Sequence, residues 1–282
     1  MATSGQSVET FLGAAERGAL VTVARAKGST PREAGAQMLV SPAATLGTIG
    51  GGQLEFMAID QARQMLADDR GPRELMLDVP LGPEIGQCCG GRVEVLIRVI
   101  DENLRTELVR EAAVEAARLP QVCLFGGGHV GHALAAALAL LPVRVTVVET
   151  RAEALEGMPD GIETRLTPVP EEMVQAAPAG AAMVVLTHDH ALDFLIVAEA
   201  LKRDDVAYVG MIGSKTKKAT FRSWYLKSAD GDERDIDRLV SPIGGEAVKD
   251  KRPAVIAAMA AAEIMAALAA HADATNGATV AG

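Results

Sequence analysis

The stretch that most limits what this chain can fold into is Val122-Cys123-Leu124-Phe125-Gly126-Gly127-Gly128-His129-Val130-Gly131. An apolar run ends in three glycines and passes straight into Val130-Gly131-His132-Ala133-Leu134-Ala135-Ala136-Ala137-Leu138, which predicts a strand, a tight turn and a helix. Gly126, Gly128 and Gly131 stand in G-x-G-x-x-G spacing. Glycine at these places lets the backbone turn sharply, admits a phosphate and brings helix against strand. The helix start beside His129 then offers unpaired N–H groups and a positive dipole end to an anion. A second apolar strand, 143–148, ends in Glu149, 18 residues after Gly131. An acid there can accept hydrogen bonds from ribose hydroxyls, although Arg151 weakens its exclusion of a 2′-phosphate. The pattern reads as nucleotide-type binding, with a purely structural turn as the alternative.

Downstream the chain keeps alternating. Strands are expected at 161–167, 181–186, 206–212 and 239–243, and helices at 171–177, 192–202 and 254–270. That is the pattern of a parallel sheet, whose ligands gather beyond the carboxyl ends of its strands. Four stretches fall at such ends: Gly126–Gly131, Glu149, His188-Asp189-His190 and Gly213-Ser214-Lys215. His188 and His190 read as metal ligands, as an acid–base pair or as caps of the following helix; only Asp189 and Asp193 stand near them as further ligands. Lys215, Lys217, Lys218 and Arg222 occur with no acid from Val206 to Ala229, either as a solvated helix face or to attract an anion.

The first part of the chain carries a second glycine junction. A short helix at 8–17 and a strand at 19–24 lead to Lys27-Gly28-Ser29-Thr30-Pro31-Arg32, a turn-rich segment that is either a hairpin connection or an anion loop containing Arg32. After a strand at 37–40 comes Thr45-Leu46-Gly47-Thr48-Ile49-Gly50-Gly51-Gly52-Gln53-Leu54-Glu55, with a helix running on to Ala67. Gly50, Gly51 and Gly52 each carry an entropic cost of about 1 kcal/mol in a regular element, which a backbone phosphate site would explain. Glu55 complements the helix dipole. Strands at 74–79 and 92–100 flank Gly86-Gln87-Cys88-Cys89-Gly90-Gly91, where adjacent thiols in a glycine-rich loop suit molybdenum, copper or sulfur transfer; two small buried residues are the alternative.

Composition narrows the class. The chain has 282 residues with a net charge of −10, which argues against nucleic-acid and anionic-membrane surfaces. Aromatic residues are 3 %, so the cores must be built from Ala, Val, Leu and Ile. No charged-then-apolar signal opens the sequence, and the apolar run 254–270 carries Glu263, so a packed helix and a cytoplasmic protein with reduced thiols are expected. The fold class expected is α/β, a C-terminal Rossmann-like parallel-sheet domain (120–271) with a smaller N-terminal α/β domain (1–101). A connecting helix (102–119) and a disordered tail (272–282) complete the division. A homodimer is also expected.

These motifs occur together and in order with Thr187-His188-Asp189-His190, Gly210-Met211-Ile212-Gly213-Ser214-Lys215 and Ser241-Pro242-Ile243-Gly244. The set resembles the XdhC/CoxI family, accessory proteins of molybdenum hydroxylases, over about residues 8–268; position 53 is Gln where many relatives carry His. The resemblance implies a chaperone for the molybdenum cofactor (molybdopterin). Such a protein works with a cysteine desulfurase that adds the sulfido ligand and with the molybdenum subunit of apo xanthine dehydrogenase, which receives the cofactor. Cys88 or Cys89 would then face the metal, and Gly50–Gly52 or Gly126–Gly131 would hold the phosphate. Two other readings remain: an oxidoreductase using NAD or another nucleotide, and a non-catalytic docking scaffold.

Overall fold

The computed structural model describes residues 5–68, 70–82, 90–245 and 247–280. The chain divides into two compact units, 1–118 and 119–282.

The first unit runs α1 (Gly5–Ala14), β1 (Ala19–Lys27), β2 (Gln37–Val40), β3 (Thr45–Gly47), α2 (Gly52–Ala67), β4 (Glu74–Pro80), β5 (Arg92–Val99) and α3 (Glu102–Arg118). Its strands form an antiparallel sheet in the order β3-β2-β1-β5-β4. Strand side chains alternate between faces, and the sequence uses both. Ala19, Val21 and Val23 pack with Leu54, Ala58 and Ala62 of α2, whereas Leu20 turns to Val8, Leu12, Leu104 and Leu108 of α1 and α3. Burying each Val or Leu contributes about 1.5–3 kcal/mol. The helix expected as a connector, 102–119, is α3 and packs within this unit. Its Arg105 guanidinium donates to the Leu12 and Ala15 carbonyls at the end of α1, where a helix leaves acceptors unpaired.

The second unit runs β6 (Gln121–Phe125), α4 (His129–Leu138), β7 (Arg144–Glu149), β8 (Glu163–Leu166), α5 (Glu172–Ala176), β9 (Ala182–Val185), α6 (His190–Leu201), β10 (Tyr208–Met211), α7 (Lys215–Ser228), α8 (Glu233–Arg238), β11 (Leu239–Val240) and α9 (Pro253–Val280). The strands form one parallel sheet in the order β8-β7-β6-β9-β10-β11. Counted from β6, this is the doubly wound order 3-2-1-4-5-6, whose direction reverses between β6 and β9. Cys123 and Phe125 of β6 face a core shared with α6 and α7; Val122 and Leu124 face α4 and α9. Both faces of the strands are covered, which is why they read as continuous apolar runs.

The tail expected from Ala272 is instead helical as far as Val280. Alanine keeps helix propensity high there, and the His271 ring packs against the turn at Gly180. One stretch, Pro253–Thr275, is long and apolar enough to cross a membrane by length and composition. Here its Ala257, Ala260, Ala261, Ile264 and Leu268 are buried against α4 and the sheet.

Candidate functional site

The turn from β6 into α4 assigns each glycine a different task. Gly126 has φ +122°, and a Cβ there would lie 2.7 Å from the Leu186 carbonyl, where the chain leaves β9. At Gly131 a Cβ would lie 2.1 Å from the Gly126 carbonyl oxygen, so the helix can approach the strand only without a side chain. Gly128 differs from both. Its φ is −74°, and nothing of the protein lies within 4 Å of a Cβ built on it. These are the three duties of a dinucleotide-type turn: sharp reversal, close packing, and a bare backbone open to a ligand. Gly128 precedes the first turn of α4 and supplies no side-chain cap, so the helix start beside exposed His129 is of the kind that suits an anion. His132, one turn on, contacts the Ala154 carbonyl oxygen at 3.1 Å.

Glu149 is placed differently from its expected role at a ribose. It is 6 % exposed, and it accepts hydrogen bonds from Gly127 N (2.9 Å), Thr150 N (2.8 Å) and Arg151 N (3.2 Å). Burial opposes its charge, but the Gly127 and Thr150 N–H groups and the Arg151 guanidinium outweigh it and hold the carboxyl below its ordinary pKa. The side chain therefore braces the glycine turn from beneath.

At the end of β9, Asp189 caps α6 through Ala191 N and Leu192 N, and exposed His188 and His190 flank it. No group of three or more His, Cys, Asp or Glu that could hold a metal occurs among the described residues. The cap of α6 is thus Asp189, and not His188 or His190, which the sequence allows as caps. Gly213 leads into Ser214, whose hydroxyl oxygen accepts Lys217 N at the start of α7, with Lys215 exposed beside it.

A pair that sequence reasoning missed links these two strand ends. Asp193 is fully buried, accepts Thr187 N (3.2 Å) and Thr187 Oγ1 (2.6 Å), and is ion-paired with Lys217. Lys217 also donates to the Ile212 carbonyl at 3.0 Å. The pair clamps the loops after β9 and β10 together. In sequence, Asp193 looks like an ordinary acid in the first turn of a helix, so nothing there signals the partnership. The expected basic cluster is also largely consumed internally: Lys218 donates to the Leu239 carbonyl, and Arg222 pairs with Glu233. The third cysteine, Cys123, is a core residue whose thiol burial pushes up to about 11.

In the first unit, the second glycine junction is filled by its own chain. Glu55 accepts Ile49 N (3.0 Å), Gly51 N (3.2 Å) and the Thr48 hydroxyl, while Gly50 N donates to Thr48 Oγ1 at 3.0 Å. Gly50, Gly51 and Gly52 all have positive φ. A Cβ on Gly50 would sit 2.7 Å from Pro31 and 3.4 Å from the Arg32 side chain, so the segment containing Arg32 packs directly on this junction. Gly91 in turn lies against the backbone of Lys27 and Ser29, and Ser29 bridges Gly90. Three sequence motifs thus meet at one end of the strands. Cys88 and Cys89 lie outside the described residues. The neck of their loop is closed by Leu81 N to Gly91 O (2.8 Å) and Gly90 N to Leu81 O (2.9 Å).

Comparison with known proteins agrees with both halves. Residues 122–264 match the XdhC Rossmann domain, and residues 11–78 match the XdhC and CoxI family. An uncharacterized Escherichia coli protein, YqeB, is 30 % identical over 260 residues, covering 88 % of this chain but 43 % of its own length. The chain thus spans less than half of that curated relative. A crystal structure from Bacillus halodurans, described as a xanthine dehydrogenase, superposes with a TM-score of 0.76 at 17 % identity, covering 95 % of this chain and 96 % of the other. That likeness is one of fold. With a Rossmann turn whose glycines keep their separate tasks and a family match over half the sequence, the chain belongs to the XdhC and CoxI family.

Proposed function

We propose that this protein is a cytoplasmic, homodimeric accessory protein of molybdenum hydroxylases. It holds molybdenum cofactor while a cysteine desulfurase adds the sulfido ligand, then passes it to the molybdenum subunit of apo xanthine dehydrogenase. The observation that carries this reading is the bare backbone at Gly128, set between two glycines that packing demands. Molybdopterin is flat, anionic and phosphate-bearing, and the Gly128–Gly131 turn meets a phosphate with N–H groups and a helix start. Gly50–Gly52 is the poorer phosphate holder, because Glu55 already takes the Ile49 and Gly51 N–H groups. Cys88 and Cys89 supply soft thiolate sulfur, suited to contact molybdenum or to carry sulfur.

Two variants test this. Gly128→Val has backbone angles that valine adopts and open space around it, so the fold should survive while pterin retention falls at least 10-fold. Cys88→Ala/Cys89→Ala should abolish activation of apo-dehydrogenase in a reconstituted assay. Normal delivery of sulfurated cofactor by the double variant would overturn the assignment.

A nicotinamide-dependent oxidoreductase is the second reading, favoured by the 3-2-1-4-5-6 strand order. Against it, both Glu149 oxygens already accept hydrogen bonds from the chain. Titration of the purified protein with NAD and with molybdenum cofactor separates the two: saturable NAD binding with hydride transfer would favour the oxidoreductase.

A further inference from the structure

We propose that the second unit has another ligand site, a cavity beyond β10 and β11 that binds a mononucleotide-type molecule, a flat heterocycle carrying a phosphate. The proposal does not rest on the cofactor-chaperone reading.

The cavity has a volume of about 580 Å³, within the range of about 300–1,000 Å³ typical of small-molecule sites. Ile212, Ile243, Val255 and Met259 give it an apolar wall. Branched aliphatic and thioether side chains of this kind pack against the face of a ring. The polar side carries Ser214, Lys249 and Lys251. Asp250 also lines it, but its carboxylate is held by Arg252 through the backbone N–H, Nε and Nη2. Neither lysine has an ion pair among the described residues, so the described part of the lining presents net positive charge in a chain of net charge −10. Focusing that charge in a partly apolar hollow favours an anion over water and salt.

The wall is also held in place. Glu263, the one acid in the apolar part of α9, accepts Gly244 N at 2.6 Å and the Tyr208 hydroxyl at 3.1 Å. Gly244, at φ +76°, packs with Cβ space only 2.9 Å from Met259. This half-buried carboxylate thus ties the Ile243–Gly245 segment to α9.

β10 lies two strands from β6 in the sheet, roughly 10 Å at the usual strand spacing of about 4.8 Å. The occupant is therefore either a free mononucleotide or one half of a dinucleotide whose diphosphate lies on the Gly126–Gly131 turn.

The test is calorimetric titration of the full chain with AMP, GMP, CMP and UMP in turn, and with NAD. Saturable binding of at least one probe is expected, weakened at least 10-fold by Lys249→Glu/Lys251→Glu, two exposed positions, and by Met259→Trp, which fills the hollow. Thermal melts check that the variants stay folded. Sensitivity of the same binding to Gly128→Val identifies a dinucleotide half, and insensitivity a free mononucleotide. Absence of saturable binding by every probe, or affinity unchanged in the Lys249→Glu/Lys251→Glu protein, overturns the proposal.

Discussion

At residues 48–55 and again at 126–149, a glycine-rich turn feeds a helix and a glutamate answers its N–H groups, yet the two places do different work. In the first unit a single oxygen of Glu55 takes Ile49 N, Gly51 N and the Thr48 hydroxyl, so the concave backbone holds an anion of its own. In the second, Glu149 takes only Gly127 N of the turn and spends its other oxygen on Thr150 and Arg151, below the loop. Gly128 is left facing open space. Runs of glycine mark a backbone that can cradle charge; whether the cradle is vacant depends on where the nearest carboxylate points.

The largest effect that would sharpen this contrast is at Gly131. Gly131→Val forces a side chain into the Gly126 carbonyl and should destabilise the protein by about 3 kcal/mol or more, measured by urea unfolding. A loss below about 1 kcal/mol would mean that the helix and strand are not in the close contact described. Glu55→Gln should cost less, about 2 kcal/mol, since hydrogen bonds to a charged acceptor are replaced by weaker ones. A neutral result would show that the filled cradle contributes little to folding.

The smallest effect expected is the pH dependence of the Glu149 brace, about 1 kcal/mol from its hydrogen bonds. Its folded pKa lies below the ordinary 4.5, so its stabilising contribution is complete above that value. It is lost as pH falls through the lower folded value. Wild type should therefore exceed Glu149→Gln in stability at pH 7, with the gap closing under acid. A gap that widens below pH 4 would reverse the sign argued here.

Much of the second unit could be read before any coordinates. Val145 to Val148, interrupted only by Thr146, and Ala182 to Val185 are apolar runs because helices cover both faces of the sheet, and Gly126 and Gly131 of the turn each have a specific steric cause. In β5 the alternation of Val93, Val95, Ile97 and Val99 with half-exposed neighbours likewise marked a strand. Three things were hidden because they depend on distant partners. Lys217 looked like one of a solvated cluster until Asp193, 24 residues away, was found against it. Glu263 looked like a blemish in an apolar helix until Gly244 and Tyr208 met it. The tail beyond Ala272 had polar composition, but it continues a helix already anchored on the sheet.

The pinned neck of the cysteine loop has a consequence for how such a protein can change. Leu81 N–H donates to Gly91 and Gly90 N–H donates to Leu81, so the points where the chain leaves β4 and enters β5 are held together by main-chain bonds. Such bonds do not depend on side-chain identity, so they tolerate sequence change between them. A fold built this way can vary that stretch of sequence while keeping its scaffold.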